Sequence, residues 1–340
     1  MRKLSSLMLP VVIVAGALVV APETASATVV KRSAALAVNN LTEAAGWSTV
    51  DSGAVHAAVW RRGGVSDLGT LGGAESKATA INDRGEVVGS SQTATGVWRA
   101  FRWTEAAGMT ELDVLSGANN CYANDVNILG QVVGYCIVGS SARPVLWSGG
   151  SVTDVDPSTI GNADMEGAAY SINDRGEIFG RQSIYLFVYA GGVRSQIGGT
   201  NIYATDRFGA INVRAEIVAN AMASGFDTRA RLWKGYYPGD PTGYYERFDL
   251  ALLPGGTDSR VYDINASGES AGWSYSSVGS RAVLWNSDGA AQDLGHLGGA
   301  YSEGYGTNDR SEVVGTSSIA SGEDHAFLWS GGTMTDLGTL

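Results

Sequence analysis

Side-chain carboxylates are the groups in this chain of 340 residues whose spacing looks most like chemistry. Seven times an acid or its amide stands four positions after an asparagine: Asn39 and Glu43, Asn82 and Glu86, Asn127 and Gln131, Asn173 and Glu177, Asn212 and Glu216, Asn265 and Glu269, Asn308 and Glu312. Paired acids protonate and attack glycosidic linkages, and rings of oxygen ligands hold Ca²⁺. A residue present in every unit, however, points to a task performed once per unit, such as supporting a hairpin or keeping a strand edge charged. No D-x-D-x-D-G loop accompanies these acids.

Other chemistry is sparse. His56, His296 and His325 stand where other units carry Arg or Thr, which reads as solvated side chains interchangeable with Arg. The sequence has no H-E-x-x-H, no G-x-S-x-G and no P-loop, so the usual metalloprotease, esterase and nucleotide signals are missing. No catalytic residue, metal ligand or cofactor is assigned. Cys121 and Cys136 are the two cysteines, and the turn from Asn127 to Gly130 lies midway between them. That symmetry places them opposite each other across a hairpin, within a one-residue bulge correction, and predicts a disulfide staple.

Candidate binding residues lie where the units differ. One position past a periodic glycine the units carry Trp47, Ser90, Tyr135, Arg181, Asn220, Trp273 and Thr316. Exposed aromatic and Arg side chains suit recognition, so Trp47, Tyr135, Arg181 and Trp273 are expected to form an exposed ring on one face, the face that also bears Trp98. A single long insertion between Trp233 and Asp249 carries Tyr236, Tyr237, Tyr244 and Tyr245. It belongs to the opposite face and is a second candidate contact.

The elements that must position these residues are short strands. In the second unit Ala78 to Ile81 is a first strand, Asn82 to Gly85 a turn with Asn and Gly at favoured positions, and Glu86 to Gly89 a second strand. The glycine three places after the acid recurs as Gly46, Gly89, Gly134, Gly180, Gly272 and Gly315, with Ala219 the exception, which suggests close backbone approach. A third strand ends in Trp60, Trp103, Trp147, Tyr189, Trp233, Trp285 or Trp329, and a fourth follows a tight turn. Four strands per unit of about 45 residues, seven times over, predicts an all-β, seven-bladed β-propeller of four-stranded antiparallel blades. A parallel β-solenoid is the alternative, and it lacks tight antiparallel hairpins.

Residues 1–27 read as a secretory signal: Arg2 and Lys3, an apolar stretch from Leu7 to Val20, and an A-x-A site at Ala25-Ser26-Ala27. Residues 28–340 are expected to be one propeller domain with no membrane insertion after cleavage, secreted to the exterior or the periplasm. The formal net charge of -11 argues against nucleic acid as a partner. With 47 Gly and 44% hydrophobic residues the composition suits many short strands around a core.

The elements Asp67-Leu68-Gly69-Thr70-Leu71-Gly72-Gly73, Ala80-Ile81-Asn82, Val87-Val88-Gly89 and His325-Ala326-Phe327-Leu328-Trp329 resemble the HAF-repeat family of bacterial extracellular proteins over about residues 33–340. The literal His-Ala-Phe occurs only in the last unit. The resemblance implies export and a propeller-like fold, and carries no activity. Together these readings describe a secreted, monomeric binding or scaffold protein for an extracellular glycan or protein. The alternative is a propeller polysaccharide hydrolase or lyase, marked by non-repeated Asp, Glu, Tyr or His side chains clustered at the axis.

Overall fold

The computed structural model describes residues 29–155, 167–183, 185–199, 209–222, 228–235 and 246–340. Among these residues the chain forms seven antiparallel four-stranded sheets, each built from four consecutive strands. They are the blades of a seven-bladed β-propeller, as the repeat predicts. Blade 1 comprises Ser33–Val38, Ala44–Thr49, Val55–Arg61 and Gly64–Asp67, and blade 7 comprises Gly298–Thr307, Val313–Ile319, Asp324–Ser330 and Thr333–Gly338. No strand is exchanged between the two, so side chains must close the ring.

The asparagine ring does so. Within its own blade each Asn Oδ1 accepts backbone N–H groups two and four residues on, as Asn82 does from Arg84 and Glu86 at 3.0 and 3.1 Å. Its Nδ2 donates to the acid of the same frame, Asn82 to Glu86 at 2.6 Å, and also to the next blade's Asn carbonyl. These inter-blade bonds run Asn39 to Asn82 at 3.0 Å, Asn82 to Asn127 at 3.0 Å, Asn127 to Asn173 at 3.1 Å and Asn173 to Asn212 at 2.9 Å. Asn212 to Asn265 at 3.0 Å, Asn265 to Asn308 at 2.9 Å and Asn308 to Asn39 at 2.9 Å complete the circle. An amide carries two donors and a two-lone-pair acceptor, and here all are used. The frame acid is spent on the Asn and lies against the turn of the next blade: Glu43 faces Gly85, and where Gly is replaced the hydroxyls of Ser311 and Thr42 bond Glu269 and Glu312 at 2.7 and 3.0 Å. These carboxylates are structural.

The core lies between blades. Val59 and Ala45 of blade 1 pack with Phe101 and Val87 of blade 2, and Trp60 packs with Val314 and Ala326 of blade 7. The repeated aromatic is buried at Trp60, Trp147, Trp233, Trp285 and Trp329. Serines clasp the seams as well. Ser33 Oγ accepts from Ala326 N and donates to Gly338 O, both at 2.8 Å. Ser76 repeats this with Ala57 and Gly69 at 2.8 and 2.6 Å.

Cys121 and Cys136 are disulfide-bonded and directly paired in register. The same cross-strand position holds Ser33 and Ser48, Ser76 and Ser91, Ser259 and Ser274, and Ser302 and Ser317 in four other blades. The staple therefore stands in for a serine pair.

Candidate binding site at the channel mouth

Inner strands carry the first element of the site. Six of them are bulged at one equivalent place, with register breaks flanking Leu36, Thr79, Tyr170, Tyr262 and Tyr305, and Asn124 in blade 3. A bulge sets two residues against one and re-aims the extra side chain. In five of the six both the bulged residue and its successor line the central channel, Leu36 with Ala37 and Tyr262 with Asp263 among them, and in blade 7 Tyr305 lines it. The bulge also explains the periodic glycine opposite it: a Cβ on Gly46, Gly89, Gly134, Gly272 or Gly315 would collide with the carbonyl oxygen of Ala34, Lys77, Tyr122, Arg260 or Glu303. In blade 5 the small residue has changed strands. Ala219 pairs with Gly209, whose φ is 123°.

Three tyrosines, Tyr170, Tyr262 and Tyr305, narrow the channel to a cavity of about 140 Å³. Asp125 and Asp263 there accept the backbone N–H of Ile172 and Thr307 in the following blades, each at 2.9 Å, and are seam acids. On the side away from the asparagine ring the channel opens into a cavity of about 470 Å³ lined by Ala34, Leu36, Trp47, Lys77, Arg260, Tyr262, Tyr301, Tyr305, Thr316 and Asp324. Blades 1, 2, 6 and 7 contribute these residues.

At this mouth the side chains form one chain of contacts and two further pairs. Trp273 Nε1 donates to Tyr262 OH at 3.2 Å, and the Tyr262 and Tyr305 rings meet edge to face at 5.3 Å. Tyr305 OH donates to Glu303 Oε2 at 2.8 Å, and Tyr301 OH donates to Asp324. Arg260 lies over Trp273 at 5.6 Å and Lys77 over Trp47 at 5.7 Å, within the range where a cation is drawn to an aromatic face. Burial raises the carboxyl of Glu303 above its ordinary value, although Tyr305 and Arg260 oppose the shift. Burial, with the Glu303 charge second, pushes the Tyr305 hydroxyl well above the usual tyrosine range. Burial followed by the Asp324 contacts does the same to Tyr301, and burial raises Tyr262. The tyrosines are thus held as hydrogen-bond donors. A carboxyl with a raised pKa beside a donor hydroxyl can also move a proton.

The candidates read from the sequence share one level of the ring. Trp47, Tyr135, Arg181 and Trp273 pair in register with Ala34, Tyr122, Ala168 and Arg260 of their inner strands. They are not an exposed ring. Trp273 is 7% exposed and the other three are half-buried, because the second strand lies behind the inner one and inner-strand side chains cover it. Trp47 and Trp273 flank the mouth. Tyr135 instead stacks on Tyr122 at 4.9 Å, with Trp98 a further 6.2 Å from Tyr122, and Arg181 Nε donates to Tyr170 OH at 3.3 Å. Tyr236, Tyr237, Tyr244 and Tyr245 lie outside the described residues. The strands bounding them pair Lys234 with Glu246.

His56 and His325 pair with Asp67 and Asp336 at 2.8 Å, as Arg99 does with Glu111 at 2.9 Å and Arg143 with Asp154 at 3.2 Å, so His does take the place of Arg in the outer hairpin. No group of three or more His, Cys, Asp or Glu among the described residues could hold a metal ion. Sequence reasoning missed Lys77, Arg260, Tyr262, Tyr301, Glu303, Tyr305 and Asp324. The available signal was the column three residues before each ring Asn, which reads Leu36, Thr79, Asn124, Tyr170, Gly209, Tyr262 and Tyr305.

No protein-family model matches the sequence and no curated protein is significantly similar to it. Solved structures are similar in fold. The β-propeller domain of the Trilobed protease from Pyrococcus furiosus matches at TM-score 0.55 and 12% identity, over 91% of this chain and 98% of that one. The BP39L lectin from Burkholderia pseudomallei matches at TM-score 0.52 and 10% identity, over 91% and 99%. A prolyl endopeptidase matches at TM-score 0.62 and 9% identity over 91% of this chain, which spans 50% of the endopeptidase. At such identities the likeness shows the fold, and this chain is similar to propellers found both alone and within larger enzymes.

Proposed function

We propose that this protein is an exported propeller that binds an extracellular glycan at the channel mouth beside Trp47. The observation that carries the reading is the composition of the mouth: Trp47, Tyr301 and Tyr305 line a cavity of about 470 Å³ that also presents Lys77, Arg260 and Asp324. Ligand sites of this size combine apolar walls with a few placed polar groups, and sugars offer both a C–H face for an aromatic ring and hydroxyls for charged groups. A lectin with a similar fold accords with this reading, as does the resemblance to extracellular HAF-repeat proteins. Export by the signal at residues 1–27, a monomeric state and independence from nucleic acid belong to the same proposal.

One observation favours a second reading. Near the axis two acid–tyrosine pairs lie side by side, Tyr305 bonded to Glu303 and Tyr301 bonded to Asp324, and such carboxylates gathered in a funnel are what a polysaccharide hydrolase or lyase would need. Both readings are tested by a glycan array on the purified mature protein, followed by incubation of every hit with the protein and assay for new reducing ends and unsaturated sugars. Saturable binding without product supports the binding protein, product supports the enzyme, and an array without hits defeats both.

A further inference from the structure

Resting on the reading of the mouth as a glycan site, we infer that the glycan is acidic and places a uronate-type carboxylate between Lys77 and Arg260, with its sugar ring against Trp47. The protein has a net charge of -11, yet two cations converge on this one cavity. Several basic residues of the described structure are paired with acids: Arg61 bonds Glu43 at 2.9 Å, Arg143 bonds Asp154 at 3.2 Å and Lys31 bonds Asp51 at 2.6 Å. Among the described residues neither Lys77 nor Arg260 forms an ion pair. Lys77 is exposed and contacts the Trp47 ring alone. Arg260 Nε is buried without a hydrogen-bond partner, while its guanidinium rests on Trp273 and interacts with Tyr262, an uncharged partner.

The acids of the mouth fill that role only in part: Glu303 feels the charge of Arg260 without an ion-pair contact. Glu303 is capped by Tyr305 and Asp324 by Tyr301, and burial drives Glu303 toward its neutral form. Lys77, exposed at the rim, and the half-buried Arg260 leave charge at the cavity that a ligand carboxylate can meet. Geometry leaves it room. Around the ring at this level the inner strands present Arg260, Glu303, Ala34 and Lys77 in blades 6, 7, 1 and 2, and Ala34, the smallest of them, opens a gap in front of Trp47. Two cations at one mouth of an acidic protein also favour that place by repulsion, since an anion is disfavoured elsewhere on the molecule.

The test is calorimetric titration of the mature protein with hexagalacturonate, hexamannuronate, hyaluronan hexasaccharide, the methyl ester of hexagalacturonate, and neutral cellohexaose and chitohexaose. We expect at least one acidic hexamer to bind about tenfold or more tighter than every uncharged one, the scale of a charged hydrogen bond, and to weaken as salt is raised. Lys77→Ala should lose about that factor for the acid and Lys77→Arg should keep most of it. Neutral or esterified hexamers binding as tightly as the acids would overturn the inference while leaving a glycan site. If no hexamer binds, the glycan reading itself fails and takes this inference with it.

Discussion

Asn308 donates its side-chain amide to the carbonyl of Asn39 at 2.9 Å, joining the last blade to the first across 269 residues of chain. The bond repeats six others in the ring, but only here does no covalent connection lie alongside it. Asn308 Nδ2 also donates to Glu312 at 2.6 Å, so both its protons point at acceptors. Asn308→Asp is nearly isosteric and turns each donor contact into two facing acceptors. It should lower the unfolding free energy by at least about 1–3 kcal/mol, the cost of buried groups left unpaired. Urea denaturation at pH 7 measures it, and a change under about 0.5 kcal/mol, the level of an ordinary surface substitution, would mean the latch is not what closes the ring.

The disulfide offers a second test. Because serine pairs occupy the register of Cys121 and Cys136 in four other blades, the doubly substituted Cys121→Ser, Cys136→Ser protein should fold to the same propeller. Its stability should fall by no more than about 3 kcal/mol, the chain-entropy value for a loop of this length. Circular dichroism and thermal melting would check this. A variant that does not fold would show that blade 3 depends on the bond for more than chain entropy.

Backbone crowding at the bulges gives a third. Gly134→Ala puts a methyl group into the Tyr122 carbonyl oxygen and the Ala123 backbone, which cannot rotate away as a side chain can. The expected loss is about 1–3 kcal/mol or more, as for other overpacked sites. Exposed-turn Gly149→Ala is not a neutral control, since Gly149 has φ 59°. Ala54→Gly in the loop ahead of the third strand serves better.

The two mouth tryptophans should separate. Trp273 is 7% exposed and hydrogen-bonded to Tyr262, so Trp273→Ala should cost about 3–5 kcal/mol. Trp47 is half-buried at the rim, and Trp47→Ala should cost less stability while removing most binding of any array hit. Melting curves and titrations on the two single variants decide it. Equal destabilisation would place Trp47 in the core with Trp273.

Glu303 supplies a pH-dependent prediction. Its folded-state pKa is raised from 4.5, with burial as the largest cause, Asp324 adding to the rise and Tyr305 and Arg260 opposing it. A carboxyl raised in the folded state contributes stability that is complete below its unfolded pKa and is lost as pH rises through the folded one. Glu303→Gln keeps an acceptor for Tyr305 without the charge. It should therefore melt higher than the parent protein at pH 7, and the difference should vanish by about pH 4. A gain that persists at pH 4 would assign the effect to packing.

Much of the local structure was legible in the sequence. Asn82 bonds to its own turn and Glu86 to Asn82, so those residues had to recur at fixed spacing in each unit, and the seven frames revealed seven blades. Cys121 and Cys136 were placed by counting from one turn, because register in a hairpin follows the turn. Even the interchange of His56 with Arg showed in the Arg that other units carry at that place, and the structure adds the facing acid. Closure of the ring decided the rest. It brings Trp47 of blade 1 into one cavity with Tyr301 and Asp324 of blade 7, residues with no relation along the chain. Bulging sends Tyr262 and Tyr305 into the channel, where a strict two-residue alternation would have turned one of each consecutive pair away. It also covers Trp273, which period and spacing alone had placed on the surface. Spacing fixes what each blade does for itself, whereas burial and proximity at the axis depend on all seven blades at once.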